Sequence, residues 1–363
     1  MKKTKFALIG CGRISRKHIE AIQANPNQAV LVAVCDVEID RAMSAGNMAS
    51  VPFYDNYDEM LKSNPEIEVV NILTPSGNHA SVAIDVVSKY QKHIVVEKPM
   101  ALKLSDADRM IRICDKNGVK LFVVKQNRYN LPVQKVREAL VNGRFGKIVM
   151  ASVRVRWSRD QAYYDQDAWR GTWASDGGVF SNQASHHVDL LEWMLGSPVS
   201  VYAISRTALV DIETEDTGVA IITFESGAIG LVEATTAVRP KDLEGSLSIL
   251  GEMGSVEIGG FAVNEMKVWN FIDEAEGDDS VIEKYSTLPA NVYGFGHEKY
   301  IQNVCDSLQH NHSALVDGLE GRKSLELINA IYESIETGVP VNLKFSPKYS
   351  KLGLNMGKSH SDD

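Results

Sequence analysis

Cysteine is scarce in this chain of 363 residues, and the four present (Cys11, Cys35, Cys114 and Cys305) are scattered. No two stand at zinc-ligand spacing, and they outline no disulfide framework. No metal is expected, and a reducing cytoplasm fits this cysteine usage best. Positive charge is also short, with 38 Lys and Arg against 47 Asp and Glu and a net charge of −9. That excludes nucleic acid as a general partner, because phosphate binding demands a basic footprint; a local phosphate pocket stays compatible. Long apolar runs are missing too. After Met1-Lys2-Lys3 the apolar stretch Phe6–Ile9 ends at a glycine turn and Arg13, too short for a secretion-signal core. No run approaches membrane-spanning length. Internal repeats and low-complexity tracts are absent, and residues 357–363 read as a frayed polar tail.

What is present is an ordinary globular composition, 44% hydrophobic and 23% charged. The length exceeds what one core serves, so two domains are expected. In the first third, apolar runs (Lys5–Ile9, Val30–Cys35, Val69–Leu73, His93–Val96, Lys120–Val124) alternate with helical patterns (Arg16–Ala24, Asp40–Ala49, Asn78–Lys89, Ser105–Asn117). This predicts βαβ units and an α/β Rossmann domain with a parallel sheet over 1–124. Beyond about Asn127 the period changes: Val153, Val155 and Trp157 alternate with Arg154 and Arg156. Further strands are read at Val199–Arg206, Thr217–Glu225, Ala228–Ala234, Gly245–Leu250 and Gly254–Ile258. They predict an α+β domain over 125–315 with an open-faced, mostly antiparallel sheet. Helices His297–Gln309 and Gly321–Thr337 and a strand Val339–Phe345 close the chain. The segment 316–363 is expected to return to the first domain. An open sheet face would expose apolar surface, so the chain is expected to pair as a homo-oligomer, a dimer or tetramer.

The first strand runs into Gly10-Cys11-Gly12-Arg13-Ile14-Ser15 and then a helix. This is G-x-G-x-x-G with serine in the third place. The first glycine permits a tight turn, and the second admits a pyrophosphate to the helix N-terminus. Gly10, Gly12, Arg13 and Ile14 are therefore candidate cofactor contacts. Asp36 ends the second strand, where a carboxylate accepts ribose hydroxyls and repels a 2′-phosphate. Val37 and Glu38 supply no cation, so NAD is favoured over NADP. Thr74, Pro75, Asn78 and His79 follow the Val69–Leu73 strand and suit the nicotinamide side of the cleft.

Glu97-Lys98-Pro99 closes an apolar strand at its carboxyl end, where open α/β sheets bind ligands. In Gly177-Gly178…Asn182…His186-x-x-Asp189, Asn182 and His186 share a helix face, and Asp189 stands within reach to orient the imidazole. Lys98 and His186 are the candidate catalytic pair, with the individual roles of base and donor left open. Arg154, Arg156, Arg159 and Arg170 gather in one segment with Trp157, Trp169, Trp173, Tyr163 and Tyr164. Guanidinium groups suit phosphate and carboxylate, and aromatic faces suit sugar and base rings. The alternative is that the tryptophans anchor the sheet and the arginines pair with Asp160, Asp165 and Asp167.

Gly10-x-Gly12, Glu97-Lys98-Pro99, Gly177-Gly178…His186-x-x-Asp189 and Gly251-x-x-Gly254-Ser255 together resemble the glucose-fructose oxidoreductase/inositol dehydrogenase/rhizopine-catabolism family over nearly the whole chain. The resemblance implies NAD(P) on a Rossmann domain, with Glu97, Lys98 and Gln126 beside it. It also implies a sugar or polyol on the open-faced domain. The family often carries an aspartate four residues before the histidine; here Asn182 takes that place. Lys125-Gln126-Asn127-Arg128-Tyr129-Asn130, Arg156-Trp157, Tyr163-Tyr164, Trp169-Arg170-Gly171-Thr172-Trp173 and Asn182-Gln183 resemble a branch that oxidises the 3″-hydroxyl of UDP-N-acetylglucosaminuronic acid for bacterial surface polysaccharide. That likeness implies substrate contacts from Lys98, Arg128, Tyr129, Arg156, Tyr163, Tyr164, Trp169, Arg170, Thr172, Asn182 and His186. It also implies 2-oxoglutarate as a hydride acceptor. A dehydrogenase of a free sugar or inositol, and a non-catalytic NAD-binding sensor, are the competing readings.

Overall fold

Strand-length apolar runs spaced by amphipathic helices produce six parallel strands in the computed structural model, which describes residues 2–286 and 296–343. They are β1 (Thr4–Ile9), β2 (Ala29–Cys35), β3 (Phe53–Tyr54), β4 (Val69–Ile72), β5 (His93–Val96) and β6 (Leu121–Val123), in the order β3-β2-β1-β4-β5-β6. The order reverses between β1 and β4, so the carboxyl ends of these neighbours frame a crevice. Buried aliphatic clusters cover both faces, which explains why the strands read as continuous apolar runs. Two elements escaped the sequence reading: the two-residue strand β3 and the helix Tyr57–Ser63. That helix is short, and its start rests on the Asn56 side chain accepting the Asp58 and Glu59 N–H groups.

The second sheet has eight strands, β7 (Ile148–Arg156), β8 (Pro198–Arg206), β9 (Thr217–Phe224), β10 (Ile229–Thr235), β11 (Glu244–Gly251), β12 (Gly254–Gly259), β13 (Glu265–Phe271) and β14 (Val341–Asn342). Their order is β13-β12-β11-β7-β10-β9-β8-β14, antiparallel except for the β7–β10 pair. Ala151, Val153 and Val155 face the helix Ser185–Leu195 and a buried core, while Arg154 and Arg156 stand on the uncovered face. That face also exposes Tyr202, Ile204, Ile221 and Ile229. Strand β13 had no sequence signal clear enough to be read.

The two closing helices do different jobs. Gly296–Gln309 lays Tyr300, Ile301 and Val304 into the core of the first sheet. Gly318–Thr337 bridges the halves, with Leu325 in the first sheet's core and Leu327, Ile328 and Ile331 in the second's. The last strand was expected near the first domain; instead β14 pairs with β8. The expected polar tail lies outside the described residues.

His187 is fully buried against Trp157, ring centroids 5.9 Å apart, and its nitrogens have no hydrogen-bond partner. Burial lowers its pKa to about 4 from the ordinary value near 6.5. The unfolded chain therefore takes up a proton that the folded one refuses, and stability falls as pH drops below about 6.5. Relative to the unsubstituted protein, His187→Leu should gain about 2.5 kcal/mol between pH 7.5 and pH 4.5. Urea unfolding at the two pH values measures this. A pH-independent difference would mean that the imidazole titrates normally in the fold.

Candidate active site

At the first glycine turn Gly10 adopts φ +102°, and a Cβ there would lie 2.6 Å from the Leu73 carbonyl. Only glycine serves at that crossing of β1 and β4. A Cβ at Gly12 would meet no atom within 4 Å, so this side of the turn is clear for a ligand backbone to approach. Ser15 Oγ donates to the Gly12 carbonyl at 2.7 Å and opens the helix Ser15–Gln23. Asp36 accepts the Cys11 N–H on Oδ2 (2.7 Å) and the Glu38 N–H on Oδ1 (2.9 Å). Its carboxylate is thereby held at the end of β2 with lone pairs to spare for ribose hydroxyls. These features fit a dinucleotide without a 2′-phosphate. Arg13 is exposed and Ile14 half-buried beside the same turn.

Residues 74–79 form the neighbouring loop. Pro75 leads a short turn, Ser76–Asn78, with Asn78 exposed. His79 is buried, with Nε2 2.9 Å from the Thr74 carbonyl and Nδ1 2.8 Å from that of Pro99. It clamps two cleft loops together and is not itself turned outward. Glu97, expected beside the cofactor, is likewise buried. Its Oε1 contacts His18 Nε2 (3.0 Å), and its Oε2 accepts the Lys98 N–H (3.0 Å). Asn71 Nδ2 reaches the other nitrogen of His18 at 2.9 Å. His18, Glu97 and His297 are the one group of possible metal ligands among the described residues. The two imidazoles hold Glu97 well below the usual carboxylate range despite its burial. Glu97 thus ties β5 to the helix that begins at the glycine turn.

The Lys98–Pro99 bond is cis. Lys98 reaches across to the second domain, where its Nζ donates to the Asn182 main-chain oxygen (2.9 Å) and to Asn182 Oδ1 (3.2 Å). Burial lowers its pKa, and Glu97 and Asp176 partly restore it. His186 is buried at the start of the helix Ser185–Leu195. Its pKa is held well below normal by burial and then by the charges of Lys98 and Lys125, so it is a neutral imidazole. Gln126 Nε2 lies 2.9 Å from His186 Nε2. With the Gln126 amide donating, Nε2 accepts and the ring proton sits on Nδ1, which has no partner. Lys98 and His186 thus converge on one cleft between the domains. Gln126 belongs with the histidine.

The arginines separate sharply. Arg128 is fully buried, paired through two bonds with Asp189 (2.8 and 2.9 Å) and through a third with Glu320 (2.9 Å). It is an interior strut, not a substrate contact, and it takes the Asp189 carboxylate that was expected to orient His186. Arg156 was also expected at the substrate. It stands on the uncovered face of the second sheet, opposite the helix that carries His186, bound by Glu233 (2.6 and 2.8 Å) and Glu244 (2.9 Å). Period-two alternation could not say which face held the ligand. Tyr129 turns its hydroxyl to Asn303 (3.0 Å), and Tyr164 buries its own against Thr236 (3.2 Å); neither faces the cleft as expected.

Arg170 stays at the site. Its side chain is mostly buried between the rings of Tyr163 and Trp169, each 4.7 Å away; Nη1 donates to the Tyr163 hydroxyl at 2.8 Å and Nε to Asp167 Oδ2 at 3.2 Å, the pairing with Asp167 that the alternative reading expected. Its charge is felt at both Lys98 and Asp176. Thr172 accepts the Asp176 and Gly177 N–H groups on its carbonyl, shaping the loop that leads to Asn182. Asp176 was missed by the sequence reading: no motif marks it, and only the fold brings it to Asn182.

Residues 4–125 match the model of an oxidoreductase family with an NAD-binding Rossmann fold, and residues 137–343 match that family's C-terminal alpha/beta domain. The WlbA dehydrogenase of Bordetella pertussis, solved with NADH and UDP-GlcNAcA, is 42% identical, covers 95% of this chain and 99% of its own, and superposes with a TM-score of 0.88. A second WlbA dehydrogenase, from Chromobacterium violaceum and solved with the same two ligands, is 41% identical at the same TM-score over 96% and 98%. The myo-inositol 2-dehydrogenase of Thermotoga maritima is 27% identical over 94% of this chain and 98% of its own length. With both halves matched, the chain belongs to the Gfo/Idh/MocA oxidoreductase family and is an NAD-dependent oxidoreductase.

Proposed function

We propose that this protein oxidises the 3″-hydroxyl of UDP-N-acetylglucosaminuronic acid to the 3-keto sugar. The likeness to the B. pertussis WlbA dehydrogenase, at 42% identity over nearly all of both chains, carries this reading. Arg170 supports it: with Nε on Asp167 and Nη1 on Tyr163, its largely buried guanidinium has Nη2 left for a carboxylate or diphosphate near Lys98, and a free polyol has neither. The reading places the reaction in the cytoplasm, on the way to surface polysaccharide such as O-antigen. It has 2-oxoglutarate returning the reduced coenzyme to NAD. Two copies pair through the uncovered face of the second sheet, where Tyr202, Ile204 and Ile221 lie exposed.

Gly10, Gly12 and Asp36 would hold NAD, which supplies a hydride acceptor when bound. Lys98, its pKa lowered by burial, takes the proton from the sugar hydroxyl. His186 donates from Nδ1 to the oxygen as charge develops there. Arg170 orients the anionic end of the substrate.

A free-polyol dehydrogenase is the second reading, favoured by the inositol dehydrogenase among the relatives. Purified protein should be given NAD with UDP-N-acetylglucosaminuronic acid or with myo-inositol, with and without 2-oxoglutarate. Mass spectrometry should find a keto sugar two mass units lighter only from the nucleotide sugar. Faster turnover of myo-inositol would overturn the proposal.

A further inference from the structure

Among the described residues the Lys98 amine hydrogen-bonds no carboxylate directly. It meets Asn182, and Asn182 meets Asp176. Asp176 is almost fully buried, and its Oδ2 accepts the Gly171 N–H at 2.8 Å. Its Oδ1 accepts from Asn182 Nδ2. An amide has one donating and one accepting end, and shape alone does not decide between them. With the nitrogen committed to a carboxylate, Oδ1 must face the other way, toward Lys98 Nζ.

This matters for the amine. Nζ donates to two oxygens, Asn182 O and Oδ1. A tetrahedral nitrogen with Cε and two committed N–H bonds has one direction left. In the neutral amine that direction holds the lone pair, and in the ammonium it holds the third proton. Were the amide reversed, Nδ2 would confront Nζ, two donors would oppose each other, and the lone pair would turn inward.

The loop that carries Asp176 is seated against the other domain. The Gly77 N–H donates to the Ser175 carbonyl at 3.1 Å, and a Cβ at Gly77 would strike the Ala174 oxygen at 2.6 Å. The cofactor-side loop after β4 therefore sets the position of Asp176.

We infer that Asp176 is a positioning residue that acts through Asn182 to aim the free valence of Lys98 into the cleft. The inference rests on the reading of Lys98 as the proton acceptor. It adds a pH dependence. Asp176 faces Lys98 from the end of β5, Arg170 and Gly171 from its own loop, and Asn182; the charge of Asp176 is also felt at Glu215 and Tyr164. Burial outweighs the cations, and its pKa is raised to about 6. A protonated Asp176 can donate to Asn182 Oδ1, which releases the amide to reverse. Activity therefore falls as pH drops through that range.

Two measurements on the full chain test this, the first with NADH bound and the second in turnover with NAD and UDP-N-acetylglucosaminuronic acid. Trace acetylation of Lys98 across pH, read by peptide mass spectrometry, needs no substrate. It stands even if the sugar has been misassigned. Asp176→Asn should lower the Lys98 pKa by about one unit, because a nearby anion is lost. The second measurement is a double-mutant cycle on kcat. Asp176→Asn alone should lower kcat at least about tenfold, with KM changed less than about threefold, and should remove the acid limb near pH 6. In an Asn182→Asp background, where a carboxylate meets Lys98 directly, the same change should cost less than about twofold. Equal costs in both backgrounds, or an unmoved Lys98 pKa in Asp176→Asn, would overturn the inference. Should Asp176→Asn fold poorly by thermal melting, Asn182→Leu carries the same test: it cuts the link and leaves Asp176 in place. It should move the Lys98 pKa and the acid limb, and an unchanged profile there overturns the inference as well.

Discussion

Lys98→Ala should turn over about 10³-fold more slowly than the unsubstituted protein, with NADH affinity within about threefold. The amine sits at the carboxyl end of β5 and reaches the second domain through two hydrogen bonds to Asn182. Among the described residues no other side chain of the first domain hydrogen-bonds Asn182, so a truncated residue 98 leaves that contact without its amine. The glycine turn and Asp36 sit at a different part of the crevice, and a change at residue 98 does not disturb their bonds. Stopped-flow absorbance at 340 nm measures the hydride step, and fluorescence titration measures NADH binding. Turnover within about tenfold of normal would remove Lys98 from the chemistry. The pH profile of the unsubstituted protein provides a companion check. Burial lowers the Lys98 pKa from its ordinary value, so the rate should rise with pH as the amine loses its proton.

Asp189→Asn should destabilise the fold by about 3–5 kcal/mol, the largest stability effect expected here. Asp189 is fully buried and accepts from Nε and Nη2 of Arg128, with Lys125 Nζ 3.5 Å away. Removing the anion leaves two cations in the interior, where among the described residues Glu320, Ser324 and the Trp193 ring are left to meet them. The same pairing overrides burial and lowers the Asp189 pKa to about 2. The ordinary carboxyl is near 3.8, so this contribution is complete above about pH 4 and fades as pH falls toward 2. Urea unfolding at neutral pH gives the difference. A loss under about 1 kcal/mol would show that water or a rearranged Glu320 compensates. Catalysis should suffer less than folding, because Asp189 has no hydrogen bond to His186. This contrasts with the role its i,i+3 spacing suggested.

Legibility followed the range of the forces. Gly10, Asp36 and Lys98 were readable because each marks the end of a strand, and strand ends follow from short-range periodicity. In an alternating parallel sheet all carboxyl ends lie on one edge. His186 was readable once a glycine-rich entry and a helix start coincided. Arg128 and Arg156 read the same as Arg170 in one dimension. All three lie near aromatic residues, and nothing local tells a guanidinium sealed by Asp189 and Glu320, or one held by Glu233 and Glu244, from one that shares Asp167 and acts near Lys98. Asp176 had no signal at all.

By itself, then, the order of residues determined the two-layer plan: a parallel nucleotide-binding sheet, an open sheet after it, and a lysine at a strand's end. Hydrophobic periodicity and glycine conformation act over a few residues and are written in the chain. Tertiary structure alone decided which charges neutralise one another and which face the cleft. The pairings of Arg128 and Arg156 join residues dozens to hundreds apart, and burial, which shifts the pKa values of Asp176 and Asp189, exists only once the sheets and helices have packed.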